Sequence, residues 1–265
     1  MHFESPTLVL VAHGSRDPRF AATARRVRSA VAAAVPGVDV ELSYLDLNEP
    51  KVGKAIERSG DCVVVPLLFA EGFHSRIDLP AIIAEHVRPG QRVIQTPVIG
   101  TYSLTRALAD RLAEAGLRDD DGVLFCAVGS SDAGADRHAR RRAIELSTLL
   151  HRPVDVVFAT RLGSRDNALR SSVRRLNAAG AERIVLSPYF LSAGLLTERV
   201  ESALDRLCPD ALVAGPLGAH PDVIDTVVHL YSEAIEQRSH GGLFASGNPI
   251  AEIVDQLLTE GFGYS

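Results

Sequence analysis

The stretch Thr7–Ala12, six uncharged and mostly aliphatic or β-branched residues, constrains the fold of this chain more than any other. Such a run predicts a strand that is buried on both faces, as in a parallel sheet covered by helices. His13 and a Gly-Ser pair follow directly, and Asp17-Pro18 then predicts the N-cap and first residue of a helix. His13 is therefore expected at the carboxyl end of the first strand, where open α/β sheets bind their ligands.

The same alternation of strand and helix repeats along the chain. Four β-α units are predicted first, and then Gly116–Gly122, an acidic segment bracketed by glycines, has the composition of a linker. A second series of strands and helices begins at Val123. We therefore predict an α/β fold of two tandem similar domains, each a doubly wound parallel sheet flanked by helices. The predicted limits are 1–118 and 119–240, followed by a C-terminal tail at 241–265 with a short helix around Pro249–Thr259.

The two halves are related by an internal duplication that keeps the scaffold and changes the chemistry. The segments Val128–Asp132 and Ser187–Gly194 repeat the glycine, serine, aspartate and proline pattern of two strand exits in the first half. At the positions where the first half has His13 and His74, the second half has Val128 and Leu196. We therefore predict one active half and one half that is kept for its shape.

Composition excludes several classes of function. The 28 Lys and Arg residues form no basic run, aromatic residues make up only 5% and the net charge is -5, so nucleic acid is not a predicted partner. No apolar stretch approaches the roughly 18 residues of a membrane span, and the N-terminus lacks the pattern of a signal peptide. We therefore predict a cytoplasmic protein with no membrane partner. The three cysteines form no C-x-x-C pair and are interpreted as structural.

Two histidines at neighbouring strand exits favour metal chemistry. Neutral imidazole binds divalent iron, cobalt, nickel, copper and zinc, and it accepts protons near neutral pH. Other interpretations of the His13-Gly-Ser-Arg motif are weaker. A phosphohistidine enzyme would place Arg where Ala12 stands, a phosphate-binding loop would have more glycines or a lysine, and a serine hydrolase needs Gly-x-Ser-x-Gly. We therefore predict an open-sited metal between His13 and His74.

The motifs around both histidines resemble those of the class II chelatases of the CbiX and SirB type, in their long two-domain form. The resemblance rests on His13-Gly-Ser-Arg-Asp-Pro and on Pro66-Leu-Leu-Phe-Ala-Glu-Gly-Phe-His74-Ser-Arg-Ile-Asp78-Leu-Pro80, and it extends over Thr7–Arg238. It implies a lyase, a sirohydrochlorin ferrochelatase or cobaltochelatase acting on the way to sirohaem or cobalamin. It also implies that His13 and His74 bind the incoming metal and take part in deprotonating the macrocycle.

The resemblance extends to further residues around the two motifs. Glu71 stands where the family more often has a small residue; it is either an added carboxylate ligand or a solvent-facing side chain, and we include it among the predicted metal ligands. Thr101-Tyr102 replaces the His-Pro pair seen at His220-Pro221. Sirohydrochlorin carries eight carboxylates, which the guanidinium fork of arginine fits. Predicted substrate-binding residues are Ser15, Arg16, Ser75 and Arg76, with Arg161, Arg165 and Arg199 as weaker candidates. Both serines also have a competing role in hydrogen bonds to the local backbone.

Two alternative functions use the same residues. A ferrochelatase for another tetrapyrrole would keep the metal chemistry, and a non-catalytic carrier of metal or tetrapyrrole needs only the two histidines. A divalent metal, Fe²⁺ or Co²⁺, is expected as a substrate, no organic cofactor is implied, and the chain is predicted to be a monomer or a homodimer. Four other histidines are interpreted as structural: His138 and His229 lack a partner histidine four residues on, and His151 and His220 lie at predicted helix ends.

Overall fold

The computed structural model describes residues 5–240 and shows two parallel β-sheets of four strands each. The strands are β1 (Thr7–Ala12), β2 (Val40–Tyr44), β3 (Cys62–Pro66), β4 (Val93–Gln95), β5 (Asp121–Ala127), β6 (Val154–Phe158), β7 (Arg183–Pro188) and β8 (Leu212–Val213). The first sheet has the order β2-β1-β3-β4, and the second has the equivalent order β6-β5-β7-β8. We call these sheets with their helices the first and second lobes. The predicted fold of two tandem parallel α/β units is confirmed.

The described helices follow the strands in the expected β-α alternation. They are α1 (Pro18–Ala34), α2 (Val52–Arg58), α3 (Leu79–His86), α4 (Thr105–Glu114), α5 (Ala133–Leu150), α6 (Asn167–Ala178), α7 (Leu195–Asp205) and α8 (Pro221–His240). Equivalent aspartates begin α1 and α5, because Asp17 accepts from the Arg19 N–H at 2.9 Å and Asp132 accepts from the Gly134 N–H at 2.7 Å. Within residues 5–240, no helix is both long and apolar enough to cross a membrane.

The two lobes share one hydrophobic core. Leu8 and Leu10 of β1 belong to the same buried cluster as Val123 and Phe125 of β5. Helix α8 packs against β3 of the first sheet, and helix α4 packs against β7 of the second sheet. Each lobe is therefore completed by the last helix of the other half of the chain. The limits at 118 and 119 describe a repeat in the sequence, and they stay a prediction as domain boundaries.

Arg142 of α5 connects the lobes at a buried position. Its side chain is 7% exposed, and its Nη2 donates to the carbonyl oxygens of Gly100 at 3.2 Å and Thr101 at 2.8 Å. Its Nη1 also lies 2.6 Å from Glu145 Oε2. The guanidinium thus supplies donors to a 3₁₀ turn of the first lobe, Ile99–Thr101, while its charge is balanced within α5.

The structure corrects the predicted linker. Gly116–Gly122 ends inside β5, because Asp121 and Gly122 already belong to that strand. Asp121 is fully buried, and its carboxylate accepts two hydrogen bonds from Arg183, each 2.8 Å, and one from the Arg118 N–H at 2.7 Å. This pairing allows an acidic residue inside the sheet, and the composition of the segment does not reveal it. The predicted tail and its helix around Pro249–Thr259 lie outside the described residues.

We expect Asp121→Asn to lower the free energy of unfolding by about 2 kcal/mol at neutral pH, since it removes the buried carboxylate that pairs with Arg183. Burial alone would raise the pKa of Asp121, but the hydrogen bonds from Arg183 and Arg118 outweigh it and hold that pKa below its usual value. A carboxyl with a lowered folded pKa stabilises the protein above its unfolded pKa of about 3.9, and this stability is lost as pH falls through the folded pKa.

Urea unfolding at neutral pH and near pH 3 measures this effect. The difference between wild type and Asp121→Asn should be smaller at the acidic pH, and Asp120→Asn on the exposed neighbouring residue serves as the matched control. An equal difference at both pH values would contradict the role given to the Asp121 charge.

The cysteines are free thiols, as their interpretation as structural residues requires. Cys62 in β3 and Cys126 in β5 are buried, and burial raises the pKa of each thiol to about 12. Both side chains are therefore protonated at neutral pH and act as small apolar groups.

Candidate metal-binding site

A cleft of about 750 Å³ lies between the carboxyl ends of the two sheets. The first lobe contributes residues 13–16 after β1 and 67–75 after β3. The second lobe contributes 127–131, which begin at the last residue of β5, and 189–197 after β7. Phe69 and Tyr189, one from each lobe, meet in the cleft with ring centroids 4.8 Å apart. The volume of this cleft is that of a small-molecule site.

His13 and His74 converge on the first-lobe wall of the cleft. Their Nε2 atoms are 3.2 Å apart, and their rings stand nearly perpendicular with centroids 4.7 Å apart. His13 follows β1 directly, whereas His74 begins a π-helical turn, His74–Asp78, that leads into α3. The structure therefore brings together the two histidines that the sequence predicts as metal ligands.

Each imidazole is oriented by a hydrogen bond through its other nitrogen. Nδ1 of His74 lies 2.6 Å from Asp78 Oδ2, and Nδ1 of His13 lies 3.3 Å from the Gly14 carbonyl oxygen. A carboxylate and a carbonyl only accept, so both Nδ1 atoms donate, and in the neutral rings both Nε2 atoms present lone pairs. Two facing lone pairs favour a cation shared between them. At a metal–nitrogen distance of about 2.1 Å, their separation corresponds to a nitrogen–metal–nitrogen angle of about 100°, which suits a tetrahedral or octahedral ion.

Asp78 is a candidate that the sequence analysis did not assign. It lies four residues after His74, so the π-helical turn carries its carboxylate back to the imidazole. Such an outer carboxylate fixes the tautomer and the orientation of the ligating ring. The four-residue spacing of histidine and aspartate is a signal that the sequence contains. A second acidic residue, Asp46, follows β2 at the same edge of the sheet. Its backbone N–H donates to the His13 carbonyl oxygen at 2.9 Å.

We expect Asp78→Ala to weaken Co²⁺ binding by about 10-fold to 100-fold, because His74 loses its fixed orientation. Asp78→Asn should fall between this variant and wild type, since an amide oxygen still accepts from Nδ1. Titration with Co²⁺ alone, followed by visible absorbance, measures this affinity. Glu85→Ala, on an exposed residue of α3, is the control. Wild-type affinity in Asp78→Ala would contradict the assigned role.

The third predicted ligand, Glu71, is not gathered with the two imidazoles. Its side chain is exposed on the cleft wall, and within residues 5–240 no group of three or more His, Cys, Asp or Glu side chains is arranged to hold a metal ion. Burial and the charge of Arg142 lower the pKa of His138, and a hydrogen bond with the Gly100 backbone and the negative charges of Glu145 and Glu71 oppose that shift. The role of Glu71 as a metal ligand stays a prediction.

The two predicted substrate-binding serines line the cleft and make local hydrogen bonds. Ser15 Oγ accepts from the Asp17 N–H at 3.0 Å. Ser75 is buried, and its hydroxyl donates to the Gly72 carbonyl and accepts from the Gly72 N–H, both at 3.1 Å. Each hydroxyl thus stabilises the turn that carries a histidine. Contacts from these serines to a substrate stay predictions.

The predicted arginines differ in how far they are already paired. Arg16 is exposed on the cleft wall and forms no ion pair with any described residue, whereas Arg76 pairs across the lobes with Asp132. Arg19 makes the equivalent crossing to Glu198 at 2.6 Å. Among the weaker candidates, Arg161 pairs with Asp136, which lines the cleft. Arg165 and Arg199 are exposed and do not line the cleft. Substrate binding by Arg16 and Arg76 stays a prediction.

The four histidines interpreted as structural lie outside the lining of the cleft. His220 is buried and accepts from the Asp222 N–H at 3.2 Å, which caps the start of α8. The others are tied to their helices: His138 accepts from Arg142, His229 lies 3.3 Å from Glu233, and His151 ends α5 in a left-handed conformation.

The fold and the histidine pair define the class of tandem-repeat α/β chelatases, in which two lobes share one cleft. The sequence profile of the CbiX family matches residues 7–115 and, a second time, residues 122–234. The chain therefore belongs to the CbiX family. The double match also confirms the internal duplication that the sequence predicts.

Individual relatives match most of the chain. It is 26% identical over 255 residues to the sirohydrochlorin cobaltochelatase of Priestia megaterium, covering 87% of this chain and 80% of the relative. It is 24% identical over 211 residues to the sirohydrochlorin ferrochelatase of the same organism, covering 74% and 76%. The structure of SirB from Bacillus subtilis with Fe³⁺ aligns with a TM-score of 0.75 and 24% identity over 89% of this chain and 97% of that protein, a likeness of fold.

Proposed function

We propose that the chain is a chelatase that inserts Fe²⁺ or Co²⁺ into sirohydrochlorin, on the way to sirohaem or cobalamin. The observation that carries this proposal is the pair of imidazole Nε2 atoms, 3.2 Å apart on one wall of the interlobe cleft. The sequence relatives include a cobaltochelatase and a ferrochelatase for sirohydrochlorin, so both metals are proposed as substrates. We also propose a cytoplasmic location, which rests on composition, and a monomeric or homodimeric state, which rests on the internal repeat.

The reaction exchanges two pyrrole protons for one divalent cation. The cation first binds the lone pairs of His13 and His74 at Nε2, which are free because both Nδ1 atoms donate elsewhere. As the cation passes to the macrocycle nitrogens, each imidazole regains its lone pair and accepts one of the departing protons. Charge is conserved, because two positive charges enter the macrocycle and two leave as imidazolium protons, which are then released to water. Asp78 stabilises the positive charge on His74.

The cleft supplies the second requirement, a bent macrocycle whose nitrogens point at the cation. Walls that fit the bent form better than the flat form lower the barrier, since binding energy is realised on the way to the transition state. A shared core and buried Arg142 hold the two lobes together, and the sheets that carry the cleft walls are part of that core. Arg16, which forms no ion pair with any described residue, is exposed on the cleft wall and available for a carboxylate at the rim of the macrocycle.

The test is anaerobic absorbance spectroscopy of sirohydrochlorin and Fe²⁺ or Co²⁺, both in large excess over the protein. A chelatase converts many equivalents faster than the uncatalysed control. A carrier of metal or tetrapyrrole stops at one equivalent, which would overturn the proposal. Faster turnover of a less carboxylated porphyrin than of sirohydrochlorin would overturn the choice of macrocycle and favour a ferrochelatase for another tetrapyrrole.

A further inference from the structure

The second-lobe wall of the cleft carries aliphatic side chains where the first lobe carries its histidines. Val128 follows β5 as His13 follows β1, and Leu196 lies at the start of α7 as His74 lies before α3. Both line the same cleft as the histidine pair, with 44% of Val128 and 36% of Leu196 exposed. The duplication therefore places two apolar groups opposite two metal ligands.

Together with Leu195 they form a surface that we call the apolar wall, made of Val128, Leu195 and Leu196. Leu195 is the most exposed of them, at 72%. Single exposed apolar side chains are ordinary on protein surfaces, but contiguous ones inside a cleft mark a surface that a ligand covers. Covering them removes apolar area from water and favours binding of a ligand with an apolar face.

We propose that the apolar wall binds one face of the conjugated macrocycle, so that the opposite face is presented to His13 and His74. This inference rests on the proposed function and adds the orientation of its substrate. A tetrapyrrole of this kind has an apolar ring face and a rim of carboxylates. The wall matches the ring, and Arg16 on the facing lobe matches the rim, so the cleft is complementary in both apolar character and charge.

One consequence is that the cation enters the macrocycle from a single side. Imidazoles on both walls would bind cations on both faces of the ring and would leave less apolar surface to hold it. With Val128 and Leu196 on the second lobe, the described residues that line the cleft include one imidazole pair, so that the apolar ring face and the cation are bound by different lobes. The second half of the duplication thus has a task of its own, to position the substrate.

The test compares Val128→Thr/Leu196→Asn with wild type, using two near-isosteric substitutions at partly exposed positions that leave the folded core intact. The control is Ile144→Thr, on an exposed apolar residue of α5 that does not line the cleft. Three quantities are measured: the Kd for metal-free sirohydrochlorin by absorbance titration, the Kd for Co²⁺ alone, and kcat and KM for metal insertion. Circular dichroism and sedimentation check folding and assembly.

We expect the double variant to bind metal-free sirohydrochlorin about tenfold more weakly, with a proportionate rise in KM. Its affinity for Co²⁺ alone should equal that of wild type, because the histidine pair is untouched. Unchanged affinity for sirohydrochlorin in a folded double variant overturns the inference, as does a change only in the assembly state, which would identify the wall as a contact between chains.

The two proposals fail in different ways. If wild type binds sirohydrochlorin but does not metallate it in many turnovers, the proposed function fails, and the wall is still judged by the Kd of the double variant. If wild type turns over and the double variant binds sirohydrochlorin normally, only the apolar wall fails. If wild type does not bind sirohydrochlorin, both are overturned.

Discussion

Alanine in place of either His13 or His74 is expected to reduce the rate of metal insertion into sirohydrochlorin by about 100-fold or more, since each loses both a metal ligand and a proton acceptor. The Nε2 atoms are 3.2 Å apart, so neither ring alone reproduces the shared cation site. The remaining imidazole still accepts a proton, but it binds a divalent cation through one nitrogen only. The effect should therefore appear in the affinity for Co²⁺ as well as in kcat.

Anaerobic turnover assays and Co²⁺ titrations of His13→Ala and His74→Ala measure both effects. The variant with both changes, His13→Ala/His74→Ala, should be about as inactive as either single variant, because groups that act as one unit give non-additive losses. His229→Ala is the matched control, since that residue pairs with Glu233 on α8 and does not line the cleft. Full activity in either single variant would move the metal site elsewhere and would also remove the basis for the role of Asp78.

The metal that such a pair holds most tightly differs from the metals proposed as substrates. Imidazole ligands bind Cu²⁺ more strongly than Fe²⁺ or Co²⁺, following the general order of divalent ions. Selection for Fe²⁺ or Co²⁺ therefore depends on metal supply and on the geometry of transfer to the macrocycle. A site with only two protein ligands suits a cation that is bound for a short time, because two protein nitrogens release the cation readily to the four nitrogens of the ring.

Local patterns in the sequence predict much of the fold. The uncharged run Thr7–Ala12 becomes β1 with the predicted bounds, and Asp17 caps α1 as its position before a proline indicates. Both features depend on residues close together in the chain, so periodicity and capping chemistry reveal them. The duplication likewise identifies His13 and His74 as the positions where the two halves differ, and the structure brings these side chains together.

Features that depend on distant contacts are not predicted. The exchange of α4 and α8 between the lobes follows from which sheet each helix packs on, and an amphipathic pattern is the same for either sheet. Two ion pairs join residues that are far apart in sequence: Asp121 with Arg183, and Arg76 with Asp132. The sequence does not show that these side chains meet, and without its partner a buried charge such as that of Asp121 would be destabilising. Asp78 is a local contact, and its role becomes clear only once the π-helical turn aims its carboxylate at His74.

Replacing Gly100 with alanine is expected to lower the free energy of unfolding by about 3 kcal/mol and to reduce metal insertion by about tenfold, although the residue lies outside the cleft. A Cβ at this position would overlap the carbonyl group of Phe69, part of the backbone that cannot move without its neighbours. Gly100 also donates its N–H to the Leu68 carbonyl at 3.0 Å and accepts from Arg142. The substitution therefore disturbs two features at once: the contact of Arg142 that connects the lobes, and the segment that follows β3.

That segment is what couples the substitution to activity. Residues 67–75 run along the cleft from β3 to His74, and Phe69 packs against Tyr189 of the second lobe. Displacing the Phe69 backbone changes both the width of the cleft and the position of His74 relative to His13, and small errors in the position of reacting groups slow a reaction steeply. Gly60→Ala is the matched control, because a Cβ there meets open space and the stability should change by less than about 1 kcal/mol.

Urea unfolding and turnover assays of Gly100→Ala and Gly60→Ala separate the two parts of this prediction. Loss of stability with full activity would show that the segment after β3 tolerates the shift without moving His74, and the coupling would be wrong. Loss of both, with a normal Gly60→Ala, follows if the junction at Gly100 fixes the lobes and the histidine pair together. In that case the second lobe supports catalysis by holding the first-lobe ligands in register, even though it supplies no imidazole of its own to the pair.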